Sequence, residues 1–144
     1  MPITIERALE LNFDSLYTAS REGEYTVVET PFTLPDGDGI GAYIRTETDG
    51  TFLLTDLGTT LGWLRHQRTL RPLTEAEEQR LMMICRQLGA TQDDGELTMR
   101  CPRASDLPEC IVSFSQAIVQ IGEMRYMPEP DERVAEPPPS TASV

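Results

Sequence analysis

The dipeptide Asp49-Gly50 sits between two runs of strand character, Ile40 to Thr46 and Phe52 to Thr55, and this constrains the chain more than any other feature. Asp-Gly between two such runs is the strongest short hairpin signal, because a tight turn joining twisted strands needs a left-handed backbone. In the first run Ile40, Ala42 and Ile44 alternate with Gly41, Tyr43 and Arg45, so one face is apolar and the other mixed. Directly after the second run the period changes. Leu57, Leu61 and Leu64 recur at helical spacing with Trp63 beside them, and Asp56 is placed to cap a helix of about ten residues.

The rest of the chain arranges itself around that hairpin. Ile5, Ala8, Leu9, Leu16 and Tyr17 predict a first helix from Thr4 to about Ser20. Tyr25, Val27 and Val28 predict a strand that stops before Pro31, with Phe32 opening a turn-rich connection through Asp36-Gly37-Asp38-Gly39. Thr74 and Glu77 form a capping box for an amphipathic helix closed by Gly89. Asp94-Gly95 marks a second, short hairpin, and Asp106 followed by Pro108 starts the last helix, whose apolar face is Ile111, Phe114, Ile118 and Ile121. The fold class is therefore α+β: a small antiparallel sheet with strands near 24–30, 39–47 and 51–56 and a hairpin near 90–101. About four helices, from Thr4, Asp56, Thr74 and Asp106, are expected on one side of it. Residues 1–127 read as a single domain, and 128–144 as a flexible, acidic, proline-rich tail.

Charge narrows the function classes. The chain carries 24 acids against 12 basic residues, a net charge of -12, and every basic residue is Arg. Without Lys there is no Schiff base, no P-loop phosphate clamp and no nuclease core of paired acids with a lysine. Residues 1–56 hold eleven acids and three Arg, so acidity is concentrated at the front. A bare phosphate backbone is a poor ligand for such a surface, and a basic protein groove is a good one. Cys85, Cys101 and Cys110 contain no CxxC pair and predict neither a disulfide framework nor a structural zinc. No apolar run is long enough to span a membrane, and the start lacks the basic-then-apolar pattern of a signal peptide, so the expected address is cytoplasmic.

Four constellations carry candidate chemistry. Asp36, Asp38 and Asp56 could converge to hold a divalent cation or to act as general acid and base, although Asp-Gly-Asp-Gly is also a turn composition. His66 is the only base available to a Ser or Cys nucleophile, and its place between Arg65 and Gln67 suits the end of a helix better. Arg65, Arg68 and Arg71 form a cationic cluster fit for carboxylate or phosphate, or a solvated helix end. Trp63, Met82, Met83 and Phe114 fall on apolar helical faces and are explained by packing.

Thr30-Pro31-Phe32, Asp36-Gly37-Asp38, Tyr43-Ile44, Leu54-Thr55-Asp56-Leu57-Gly58 and Thr60-Leu61 with Leu64 follow one another in an order that resembles the family called domain of unknown function eighteen twenty-eight. The resemblance covers roughly residues 20–100, and extends to the helix around Gln116-Ala117-Ile118. It implies a small α+β domain of bacterial chromosomes and prophages, and it implies no catalytic residues. Where the family has an acid after Thr-Asp, this chain has Leu57, which weakens a metal role for that turn.

These readings lead to a non-catalytic, acidic protein-binding module without cofactor or metal. It would act as a phage or mobile-element inhibitor, an anti-CRISPR or other anti-defence protein directed at a host nucleic-acid-binding complex. The expected partner is a protein with a basic surface, met through Glu24, Glu29, Asp36 and Asp38, with Arg65, Arg68 and Arg71 as secondary candidates and with no direct nucleic-acid or membrane contact. The alternatives are a host regulatory or accessory module paired with a neighbouring protein, and a small metal-dependent hydrolase using Asp36, Asp38 and Asp56. The proline-rich end offers almost nothing to bury. Deleting residues 128–144 should leave the unfolding midpoint unchanged in a thermal melt, and a large drop would show that the tail docks.

Overall fold

Apolar residues on alternate positions need a second layer to cover them. In the computed structural model, which describes residues 4, 5, 16–68 and 70–128, they lie in a six-stranded sheet covered by helices. The strands are β1 (Thr18–Glu22), β2 (Tyr25–Thr33), β3 (Gly39–Thr46), β4 (Phe52–Thr55), β5 (Thr91–Asp93) and β6 (Glu96–Cys101). They are ordered β1-β2-β3-β4-β6-β5, and every neighbouring pair is antiparallel. The α-helices among the described residues are α1 (Thr59–Gln67), α2 (Glu75–Leu88) and α3 (Leu107–Gly122).

Register sorts the side chains into two faces. Thr26, Val28, Ala42, Ile44, Leu54 and Met99 share one face, opposite one another in successive pairs. There all of them but Thr26 meet Leu61 and Leu64 of α1, Leu81 and Ile84 of α2, and Phe114, Ala117, Ile118 and Ile121 of α3 in one buried cluster. Full burial of each of the larger side chains is worth about 1.5–3 kcal/mol. Tyr25, Val27, Tyr43 and Leu53 point to the other face and stand outside that cluster.

Both Asp-Gly turns form hairpins. Asp94 and Gly95 take φ of 52° and 86°, the two left-handed positions of a two-residue turn between β5 and β6. The Asp49-Gly50 turn is longer. Glu47 N–H donates to Thr51 O at 2.8 Å, Gly50 has φ 87°, and Asp49 Oδ1 accepts from Thr51 N–H at 3.0 Å.

Several expectations are corrected. The helix predicted from Thr4 to Ser20 fails at its end, where Thr18–Glu22 is an edge strand paired with β2; residues 6–15 of it lie outside the described residues. The strand predicted to stop before Pro31 runs on to Thr33, because an irregular register between Glu29 and Thr33 accommodates a residue without an N–H. Thr30 Oγ1 donates to Ile40 O at 2.8 Å, supplying a donor to β3 beside the proline. The last helix opens through a 3-10 turn, Ala104–Asp106, and the Asp106 carboxylate accepts from Arg103 Nε at 3.1 Å instead of capping. Residues 129–144, which hold nearly all of the expected tail, lie outside the described residues.

The capping box of α2 is present as read. Thr74 Oγ1 accepts from Glu77 N–H at 3.2 Å, and Glu77 Oε1 accepts from Thr74 N–H at 2.9 Å. Glu77 does more than cap. It is 1% exposed and holds two guanidiniums: Arg68, itself 2% exposed, ion-pairs with Oε2, and Arg71 Nη1 reaches Oε1 at 3.1 Å. The other end of the Arg68 fork donates to Met124 O and, at 2.9 Å, to Met127 O, beyond the end of α3. One buried cation thus ties the C-terminal end of α1 to the start of α2 and to the turn after α3.

Burial alone would raise the Glu77 carboxyl, but the Arg71 and Thr74 hydrogen bonds and the charges of Arg68 and Arg71 outweigh it and hold the carboxyl below its ordinary value of 4.5. A depressed carboxyl stabilises the fold in full above the unfolded value and loses that contribution as pH falls through the folded one. Glu77→Gln, which leaves Arg68 buried without its counter-charge, should cost about 3 kcal/mol in denaturant unfolding at pH 7. The difference between wild type and variant should shrink as the pH is taken below about 4.5.

Candidate functional site

The three aspartates of the sequence are not brought together. Asp56 is 1% exposed, between β4 and α1, and its carboxylate is filled by backbone donors. Oδ1 accepts from Gly58 N–H at 2.8 Å and from Leu97 N–H at 2.9 Å, and Oδ2 accepts from Thr60 N–H at 3.1 Å. Its own N–H donates to Leu97 O at 3.2 Å. The helix begins three residues after Asp56 with Gly58 at the N-cap position, so Asp56 is not the cap residue expected, although its carboxylate accepts from one first-turn amide, that of Thr60. Leu57 and Gly58 both take left-handed φ, 56° and 82°, to let the chain double back over this carboxylate. Thr55 Oγ accepts from Leu57 N–H at 2.9 Å and donates to the Glu96 carboxylate. Leu54-Thr55-Asp56-Leu57-Gly58 is therefore a folding joint. Among the described residues no group of three or more His, Cys, Asp or Glu is placed to hold a metal ion.

Asp36 and Asp38 are exposed on the β2–β3 loop, as the sequence suggests. That loop is held at several points. Leu34 N–H donates to Asp38 O and Gly37 N–H to Leu34 O, both at 2.8 Å. Asp36 Oδ1 accepts from Asp38 N–H at 2.9 Å, and Oδ2 from Trp63 Nε1 of α1 at 2.7 Å. The Asp38 amide first and the Trp63 indole next hold the Asp36 carboxyl below its ordinary value. Underneath, Leu34 and Pro35 press on Gly122 of α3. A β-carbon there would lie 2.7 Å from Leu34 Cδ2 and 3.2 Å from Pro35 Cδ.

Glu24 and Glu29 are also exposed, but the four expected contact residues do not form one patch. Glu24 is in the β1–β2 turn, at the opposite end of β2 from the Asp36 loop, and nine strand residues separate the ends by about 30 Å. Glu24 and Glu29 instead flank a group the sequence reading did not single out. Tyr25 and Tyr43 stack edge to face at 5.8 Å on the sheet face away from the helices, and Arg45 lies 6.0 Å over the Tyr25 ring. Arg45 is itself neutralised, by Glu47 at 2.9 Å and Glu24 at 4.0 Å, and Glu47 raises its pKa further. The signal for this group was the polar half of the alternation, Tyr25, Tyr43 and Arg45, which pattern reading treats as solvent face.

The arginine cluster is dispersed. Arg68 and Arg71 turn inward onto Glu77, and only Arg65, with His66 beside it in the last turn of α1, remains exposed. The reason is that a buried carboxylate needs cations, and these two are within reach. Cys85 and Cys110 are poor nucleophiles: burial raises the Cys85 thiol, while burial, Cys101 and then Asp106 and Glu109 push Cys110 up to about 12. No helix among the described residues is long and apolar enough to cross a membrane.

The profile of the family described as Domain of unknown function DUF1828 matches residues 30–121, from late β2 almost to the end of α3. The chain belongs to that family. Comparison with curated proteins and comparison with solved structures give no match.

The two kinds of aspartate should separate under mutation. Asp56→Asn exchanges one accepting oxygen for a donor that faces a backbone N–H, and should cost about 1–3 kcal/mol of unfolding free energy. Asp38→Asn, on the exposed loop, should change it by no more than about 0.5 kcal/mol. Equal effects in denaturant melts would contradict the assignment of Asp56 to the joint.

Proposed function

We propose, from membership in a family that brings no reaction with it and from the two-faced sheet, that this chain is a non-catalytic protein-binding module whose partner has a basic surface. Inhibition of a host nucleic-acid-binding defence complex, by a protein carried on a phage or other mobile element, is the activity this reading fits best. The observation that carries it is the sheet face opposite the helices, where the Tyr25–Tyr43 pair is bordered by Glu24, Glu29 and Glu47. Tyrosines give a binding surface large contact area at low conformational cost, and surrounding carboxylates match the potential of a groove built for phosphates. Asp36 and Asp38, held rigid at the far end of β2, extend the acidic character of the same molecule.

Such a complex should be steered electrostatically. With a partner isolated from the native host by affinity capture and identified by mass spectrometry, the association rate should fall as salt shortens the screening length from about 10 Å at 0.1 M to about 3 Å at 1 M. Dissociation should change less. Charge reversal at Glu24 and Glu29 should flatten the salt dependence, Tyr43→Ala should speed dissociation, and reversal at Arg65 should do neither. An association rate indifferent to salt, or a salt dependence governed by Arg65, would overturn the proposal.

A further inference from the structure

Two cavities, of about 510 and 250 Å3, share Leu81, Met82 and Gln92 and so adjoin, making a groove between α2 and the β5 edge with α1 at one end. The α2 wall runs from Glu78 to Arg86, about 12 Å at 1.5 Å per residue, the length of roughly four extended peptide residues. Its floor is apolar and adaptable: Leu61 and Leu81 are buried below, and Met82, 59% exposed, lies on the rim. Methionines suit surfaces that reshape around an incoming side chain.

Charge says what the groove receives. Half of the described arginines are engaged with carboxylates or rings: Arg45, Arg68, Arg71 and Arg103 with carboxylates, Arg125 with the Trp63 and Tyr126 rings. The side chains of Arg65 and Arg86, both exposed, have no hydrogen bond, ion pair or ring contact among the described residues, and both line this groove. Glu78 lines it too, which leaves the groove one positive charge net on a chain of net charge -12.

We propose that this groove docks a short acidic segment of a second protein, different from the basic partner of the tyrosine face, with apolar side chains seated over Leu61, Leu81 and Met82 and carboxylates taken by Arg65 and Arg86. The surface is separate from the tyrosine face, and its charge preference is the reverse. The chain would then hold a basic surface with one side and an acidic linear segment with another.

The test uses the full chain and fluorescein-labelled peptides in a polarisation assay: one of alternating Glu and Leu pairs, one with Lys in place of Glu, and one with Ser in place of Leu. The Glu-Leu peptide should bind and the other two should not. Arg65→Glu with Arg86→Glu should weaken that binding by about tenfold or more, and Met82→Ser should weaken it as well. Met82→Ser should melt like wild type, since that side chain is exposed, and the double reversal, which puts acids in the last turns of α1 and α2, should lower the midpoint by a few degrees and leave the chain folded at the assay temperature. Failure of the Glu-Leu peptide to bind, equal binding of the Lys-Leu peptide, or indifference to the arginine reversals would overturn the proposal. So would tighter binding after deletion of residues 129–144, which would make the chain's own acidic end the occupant. None of these outcomes depends on Glu24, Glu29 or Tyr43, so failure here leaves the tyrosine face to stand or fall on its own test.

Discussion

A carboxylate with no water around it must find donors, and the Asp56 side chain finds three in the backbone. Two belong to the turn into α1 and one to β6, a strand that arrives 41 residues later. The chain leaves the sheet at Thr55, makes two helices, and re-enters it as the edge strand β5 before β6 comes to lie beside the strand it left, so β6 has to be recognised as the neighbour of β4. The Leu97 amide reaching Asp56 supplies that recognition at the point where α1 departs. An apolar residue at position 56 would leave three amides unsatisfied, each at a cost of about 1–3 kcal/mol.

The far end of α1 is held in the same way by opposite chemistry. There Arg68 brings a buried cation to Glu77 and to the carbonyls of Met124 and Met127. Apolar packing between α1 and α3 would permit many small slips of one helix along the other, because dispersion is not directional. Forked hydrogen bonds do not permit them. Buried ion pairs add little net stability compared with well-packed apolar residues, and what this one adds is the direction of its hydrogen bonds.

What the sequence made legible follows distance along the chain. The Thr74–Glu77 box and the two Asp-Gly hairpins are complete within a few residues, and they appear where composition places them. β1 was invisible because Thr18–Glu22 is exposed throughout, an edge strand with no apolar alternation, and only its pairing with β2 makes it a strand. The inward turn of Arg68 was equally hidden, since its partners are nine and more than fifty residues away. Of the candidate contact residues, Glu24, Glu29, Asp36 and Asp38 are exposed and Arg68 is buried. The four acids do not group, because Glu24 and Asp36, twelve positions apart in sequence, lie at opposite ends of a nine-residue strand.

The contact between Gly122 and the Leu34–Pro35 corner couples two positions 88 residues apart into one unit of inheritance. A methyl group at 122 is admitted only if the Leu34 side chain turns aside and the Pro35 ring gives by a few tenths of an ångström, so in relatives that keep the fold a larger residue at 122 should go with a smaller one at 34. A bulky residue at both positions would mark a chain whose β2–β3 loop has left the helix. Since Trp63 holds the same loop through Asp36, such a chain should also have lost its tether to α1, and its loop would have become a free arm.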